Sequence, residues 1–110
     1  MDAHDKPVLV YATYPDVETA EAGGRALVAE GLAACVNILP GMVSIYRWEG
    51  QIERGQECVM IIKTRAALAE RAIAAAQARH PYTTPAFVVL TVEGGLAPYL
   101  DWIVASTCQD

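Results

Sequence analysis

At 110 residues, with 54% hydrophobic and 19% charged residues, the chain amounts to one domain's worth of sequence and is too apolar for disorder. Its eight Lys and Arg are scattered against thirteen Asp and Glu, a formal net charge of −5, so no cationic face is available for nucleic acid or an anionic membrane. Three cysteines without a Cys-x-x-Cys pair, no cationic and apolar leader in the first six residues, and no membrane-length apolar run lead us to expect a reduced, cytoplasmic setting.

Residues 7–14, PVLVYATY, make a nearly continuous apolar run, the pattern of a strand covered on both faces. Pro15-Asp16 ends it. Asp16 suits a helix N-cap, its carboxylate accepting backbone N–H groups at the positive end of the dipole. The spacing predicts a helix from Val17 to Glu30, with Val17, Ala20, Gly24, Leu27 and Val28 along one stripe, Glu21 and Arg25 as an exposed i,i+4 pair, and Gly31 at C′. Gly23 and Gly24 in mid-helix each cost roughly 1 kcal/mol against alanine. Close approach of the helix backbone to a sheet would explain them.

Two long strands follow, from about Ala34 to Trp48 and from about Gln51 to Thr64, rich in β-branched and aromatic residues and folded back at Glu49-Gly50. Gly50 supplies the positive φ a tight turn needs. Pro40-Gly41 predicts a bulge, because proline donates nothing to a ladder. About fourteen strand residues at ~3.3 Å each span roughly 46 Å. A compact domain of this size has a radius of gyration near 13 Å and is only about 34 Å across. The far end, carrying Tyr46, Trp48 and Ile52, must therefore project, and large apolar side chains are costly to leave in water. We read the hairpin as core at its base and as an interface with further copies of the chain at its tip.

Thr64 is placed to cap a second helix from Arg65 to about Arg79, with Leu68, Ala69, Ala72, Ile73 and Ala76 on its stripe. His80-Pro81 stops it, since the residue before a proline is pushed out of the α region. Tyr82-Thr83-Thr84-Pro85 reads as a rigid connector and residues 86–92, AFVVLTV, as the fourth strand. Gly94-Gly95 turns the chain, and Pro98 starts a third helix with Tyr99, Trp102 and Ile103 facing inward. The order β-α-β-β-α-β plus a terminal helix, over a single domain spanning 1–110, is the α+β, ferredoxin-like split βαβ pattern: an antiparallel sheet with two helices on one face.

Glu57 and Lys63 lie at even spacing on one strand and share a face with Val59 and Ile61. Beside Tyr82, they read either as the lining of a pocket between subunits or as an ion pair. Tyr46, Trp48 and Tyr82 would stack on a ligand or, more commonly, anchor an interface. Cys35, Cys58 and Cys108 are not at zinc-site spacing. Packing accounts for small buried thiols, while a thiolate shared across an interface would suit Cu(I). His4 falls in an N-terminal stretch expected to be loose. No glycine-rich phosphate loop, dinucleotide fingerprint or Ser-His-Asp order is present, so no enzyme is expected. An acylphosphatase-like enzyme would need an arginine-bearing glycine loop where residues 12–16 read ATYPD.

The strings LAACVNILPG (32–41), SIYRWEG (44–50), IIKT (61–64), HPY (80–82) and YLDWI (99–103) resemble, in order and spacing over residues 8–107, the CutA divalent-cation-tolerance family. The resemblance implies a ferredoxin-like protomer in a tight cyclic homotrimer, related in architecture to PII-like signalling proteins and associated with copper and other divalent metals. Members with copper ligands resemble a pattern with cysteine late in the first strand and two histidines before Pro-Tyr. The matching positions here are Ala12 and Arg79, which leaves His80 alone. The acidic residues after His-Pro-Tyr are replaced by Thr83-Thr84-Pro85-Ala86. The resemblance thus implies a weak contact of His80 with copper or another divalent metal, neutral imidazole being a common transition-metal ligand. The structural reading of His80 is a histidine in a last helical turn, favourable against the dipole. The expectation is a non-enzymatic homotrimer in metal tolerance or sensing, without organic cofactor. The alternative is a PII-like module holding a small anion between subunits through Lys63 and backbone amides.

Overall fold

Alternation along each strand decides which side of a sheet a residue serves, and here it assigns the two faces different work. The computed structural model describes residues 5–108, so His4 lies outside the described residues. The elements are β1 (Pro7–Tyr14), α1 (Val17–Ala29), β2 (Cys35–Trp48), β3 (Gln51–Arg65), a 3-10 turn (Ala66–Leu68), α2 (Ala69–Ala78), β4 (Phe87–Thr91) and α3 (Ala97–Ala105). The four strands form one sheet in the order β2-β3-β1-β4, every neighbouring pair antiparallel. Rungs such as Val36–Ile62–Val10 and Ile38–Met60–Ala12 face the helices. They pack with Ala20 and Leu27 of α1, Ala72 and Ala76 of α2, and Leu68. This is the ferredoxin-like architecture that the element order implies.

The reverse face carries the rungs Leu90–Leu9–Lys63–Cys35 and Val88–Tyr11–Ile61–Asn37, followed by Thr13–Val59–Leu39. Hydrogen bonds tie α3 and the chain after it to the end marked by Lys63 and Arg65. Leu39, Val88 and Leu90 remain about half exposed.

Local chemistry sets the helix boundaries. Asp16 caps α1, its Oδ1 accepting from the Thr19 N–H (2.8 Å) and hydroxyl (2.7 Å), and these bonds hold its pKa below the usual carboxylate value. At the other end Gly31 (φ 73°) makes a Schellman turn, with Leu32 N–H donating to Leu27 O and Gly31 N–H to Val28 O. The α1 stripe differs from expectation at two places: Gly23 is buried and Val28 exposed.

Gly24 is where the helix meets the sheet. A Cβ there would lie 2.7 Å from Val36 Cγ2 and 3.1 Å from Met60 Sδ. Gly24→Ala would gain about 1 kcal/mol of helix propensity, yet the overpacking against a stiff β-branched side chain is expected to outweigh it, for a net loss of about 1–2 kcal/mol. A urea melt checks this. A variant as stable as the parent would mean that Val36 moves aside at no cost.

Two expectations for the second half need correction. Thr64 caps no helix: it is buried in β3 opposite Val8, and its hydroxyl donates to Leu32 O at 2.8 Å. Pairing with β1 continues through Arg65, which delays α2 until after the 3-10 turn, with Leu68 at the N-cap and no side-chain cap bond. Of the three residues expected to face inward from α3, only Ile103 is buried. Tyr99 and Trp102 are 40% and 44% exposed and stack on each other, ring centroids 5.7 Å apart.

The hairpin has the expected reach. The protomer measures 46 × 26 × 21 Å, and the ladder breaks between Leu39 and Met42, where Gly41 takes φ 78°. At the tip both Glu49 (φ 48°) and Gly50 (φ 80°) have positive φ, the signature of a type I′ turn. Trp48 pairs with Gln51 and Tyr46 with Glu53, whereas Ile52 pairs with Arg47. Tyr46 and Trp48 therefore point to one face of the ribbon and Ile52 to the other.

Candidate functional site

Beyond the bulge, Met42, Ser44, Tyr46 and Trp48 follow the face of β3 that bears Glu57. Tyr46 and Trp48, with residues 55–57 of β3 and the 81–86 connector, line an open groove of about 920 Å³. Glu57 is its one charged lining residue, with Thr13, Tyr46, Trp48, Tyr82 and Thr84 among the others. The carboxylate is held from two sides: Ser44 Oγ donates to Oε1 at 2.7 Å and the Tyr82 hydroxyl to Oε2 at 2.9 Å. Desolvation first, then the bond to Glu57, push the Tyr82 phenol up to about 12, so it remains a donor throughout the physiological range. The Tyr46 ring lies across Gly55, 3.8 Å from where a Cβ would stand.

His80 positions Tyr82. Its buried ring follows α2 and turns inward, Nε2 lying 2.7 Å from Thr13 O, while Nδ1 accepts the Tyr82 N–H at 3.1 Å. A carbonyl only accepts, so Nε2 carries the proton and Nδ1 is the acceptor. The ring stacks on Tyr14 (4.3 Å between centroids) and meets Phe87 edge-on at 5.8 Å. The histidine faces the sheet, and its ring is not turned to the helix dipole as the structural reading supposed.

A metal ion finds a poor fit here. Both imidazole nitrogens are engaged within the chain, and no group of three or more His, Cys, Asp or Glu is gathered among the described residues. Cys58 is buried with its thiol donating to Asp16 O at 3.2 Å, and burial pushes its pKa up, away from thiolate.

The residues expected to share a pocket divide into two places. Glu57 and Tyr82 meet. Lys63 stands six residues further along β3, roughly 20 Å away at the strand rise, so within one protomer it is not beside Tyr82. Its Nζ donates to the Tyr99 hydroxyl at 2.8 Å, a bond that raises its pKa, and lies 5.2 Å from that ring's centroid. Ser44 and the Thr13 carbonyl were not singled out from sequence. The alternation past Pro40-Gly41 carried the signal for Ser44, whereas a backbone carbonyl has none.

Tyr14, beneath His80, has a buried hydroxyl with no hydrogen-bond partner among the described residues, and Gly23 leaves the room for it. Burial pushes its pKa up to about 12. A folded-state value above the unfolded one means that stability is complete below about pH 10 and is lost as the pH rises through the folded value. Tyr14→Phe removes the unsatisfied group, so a gain of about 1 kcal/mol at neutral pH and later alkaline unfolding are expected. A lower melting temperature for the variant would show that the hydroxyl has a partner after all.

No helix among the described residues is long and apolar enough to cross a membrane. A family model described as CutA1 divalent ion tolerance protein matches residues 8–106. The divalent-cation tolerance protein CutA of Thermus thermophilus is 42% identical over 99 residues, 90% of this chain and 96% of its own. The chloroplastic protein CutA of Arabidopsis thaliana is 41% identical over 100 residues, 91% of this chain, which spans 55% of that relative's length. The crystal structure of CutA from Xylella fastidiosa superposes with a TM-score of 0.91 at 45% identity, covering 94% of this chain and 99% of that one. The chain belongs to the CutA1 divalent ion tolerance protein family.

Proposed function

We propose that the chain acts in divalent-cation tolerance as a non-enzymatic, cytoplasmic homotrimer. The observation that carries this reading is the family match across residues 8–106, together with relatives near 40% identity that bear the tolerance name. Assembly is supported by the apolar reverse face of the sheet and by a hairpin whose tip leaves Trp48 and Ile52 in solvent in the single chain. Cytoplasmic residence rests on three free cysteines, the usage of a reducing compartment.

Contact with copper or another divalent metal is assigned to His80 and is weak by construction. The ring must release Thr13 O or the Tyr82 N–H before either nitrogen can ligate, and each such bond is worth about 1 kcal/mol. The anion-binding alternative is not favoured: Lys63 is bound to Tyr99, and the groove presents a carboxylate. The test is genetic and direct. A host lacking its own copy should lose tolerance to Cu(II) and recover it with this chain. Identical growth with and without the chain across copper, zinc and cobalt would reject the role. Calorimetry adds the site: an unchanged Cu(II) affinity in His80→Ala would remove His80 from it.

A further inference from the structure

We propose that the distal ribbon is sorted by charge to select a second copy of this chain: the side bearing Arg47 and Arg54 packs onto the side bearing Glu53 and Glu57 of the next copy. The inference rests on the assembly reading above and adds which surfaces meet. Beyond the bulge Arg54 lies across from Ile45 and Arg47 across from Ile52, whereas Glu53 lies across from Tyr46 and Glu57 across from Met42. Residues directly across from each other share a face. The arginines therefore stand with Val43, Ile45 and Ile52 on one side, and the glutamates with Tyr46 and Trp48 on the other. No rung of the distal ribbon sets opposite charges together, although such a pair would stabilise it. Among the described residues none of these four charges forms an ion pair.

The two sides complement each other. A guanidinium stacks on an aromatic ring and bonds a carboxylate from one position, and the glutamate side offers both groups. Arginine and aromatic side chains are also the types enriched at protein interfaces. Other cations of the chain are already engaged: Arg65 with Asp5, Lys63 with the Tyr99 hydroxyl, and Arg25 beside Glu21. Packing either side on its own copy would bring like charges together. A contact between two different sides is heterologous, and such contacts close into rings instead of stopping at a pair. Trp48 and Ile52, which point opposite ways, are then covered by different neighbours.

Sedimentation velocity on the intact chain at low ionic strength tests the match. Arg47→Glu with Arg54→Glu is expected to weaken association by at least about 100-fold, while Arg47→Lys with Arg54→Lys stays within about tenfold of the parent. Glu53→Arg alone should also weaken it. Added to the reversed arginines, Glu53→Arg should restore at least about tenfold. All three positions are exposed in the single chain and clear of the Ser44–Glu57–Tyr82 bonds, so the protomer keeps its fold. Unchanged association after reversal of the arginines, or no rescue by Glu53→Arg, would overturn the assignment. So would tighter association of the reversed variant with the parent than of the parent with itself, the mark of arginine sides packed on each other. A larger loss from Lys63→Glu than from the arginine pair would give the glutamates another counterpart and overturn it too. A parent that stays a single chain removes the assembly reading and this contact together. A parent that assembles without response to these charges removes the contact alone.

Discussion

Arg65→Ala is expected to lower the melting temperature by roughly 10 °C or more, a loss of about 2–3 kcal/mol in a domain of this size. The guanidinium is almost wholly buried and reaches three residues in two separate pieces of chain. Nε donates to Thr107 Oγ1 at 3.2 Å, Nη1 to Asp5 Oδ1 at 3.0 Å, and Nη2 to the Cys108 carbonyl. It therefore fastens the segment before β1 and the segment after α3 to the end of β3. Cys108 N–H in turn donates to Gly31 O, joining the same knot to the end of α1.

The loss falls at the lower end for a buried charge that loses its partners. Asp5 is 42% exposed and can be rehydrated, and the Thr107 hydroxyl still donates to Val104 O. The Cys108 carbonyl and the cavity left by a long side chain account for most of the loss. Arg65→Lys should recover less than half, because an ammonium on a single stem cannot serve three directions at once. A thermal scan in which Arg65→Ala melts with the parent would show that the knot carries no stability.

Arg65 also marks where sequence reasoning stopped. Local signals gave the elements: the Asp16 cap, the Gly31 turn, the Pro40-Gly41 bulge and the strand pair around Glu49-Gly50 all depend on neighbours within a few residues. The same habit misplaced Thr64 and Arg65 at a helix start. Their conformation is decided by Val8 and Pro7, nearly sixty positions away in the register. Tyr99 and Trp102 failed for a related reason. Helical periodicity names a stripe without saying what lies opposite it, and the two rings found each other. In the groove, Glu57 and Tyr82 were legible as polar and aromatic residues on strand and connector. That Tyr82 binds Glu57, and Lys63 instead binds Tyr99, follows from where the connector lands. His80 fixes that landing through the carbonyl of Thr13, an atom every residue possesses.

The hairpin supplies the other large effect. Ile52→Asp is expected to abolish assembly at micromolar concentration, while leaving the protomer folded. Ile52 is 72% exposed in the single chain, Ile45 73% and Trp48 61%, on a ribbon projecting along the 46 Å axis of a body otherwise 26 × 21 Å. An apolar anchor of this kind contributes at least about 2 kcal/mol per interface. A closed trimer repeats the contact three times, so the loss is about 6 kcal/mol, a factor on the order of 10⁴ in the association constant. Because Ile52 sits on a type I′ hairpin away from the core, a carboxylate there strains nothing within the protomer.

Sedimentation velocity on the parent, Ile52→Asp and Trp48→Ala separates the two faces of the ribbon. Dissociation by Ile52→Asp together with a weaker effect of Trp48→Ala would place the main contact on the side of the ribbon that continues the helix-facing side of the sheet, with Trp48 touched only at the rim. If Trp48→Ala dissociated the assembly and Ile52→Asp did not, the partner would lie on the groove face instead. A parent that sediments as a folded single chain in dilute buffer would remove the physical reason for its projecting apolar tip, and the trimer with it.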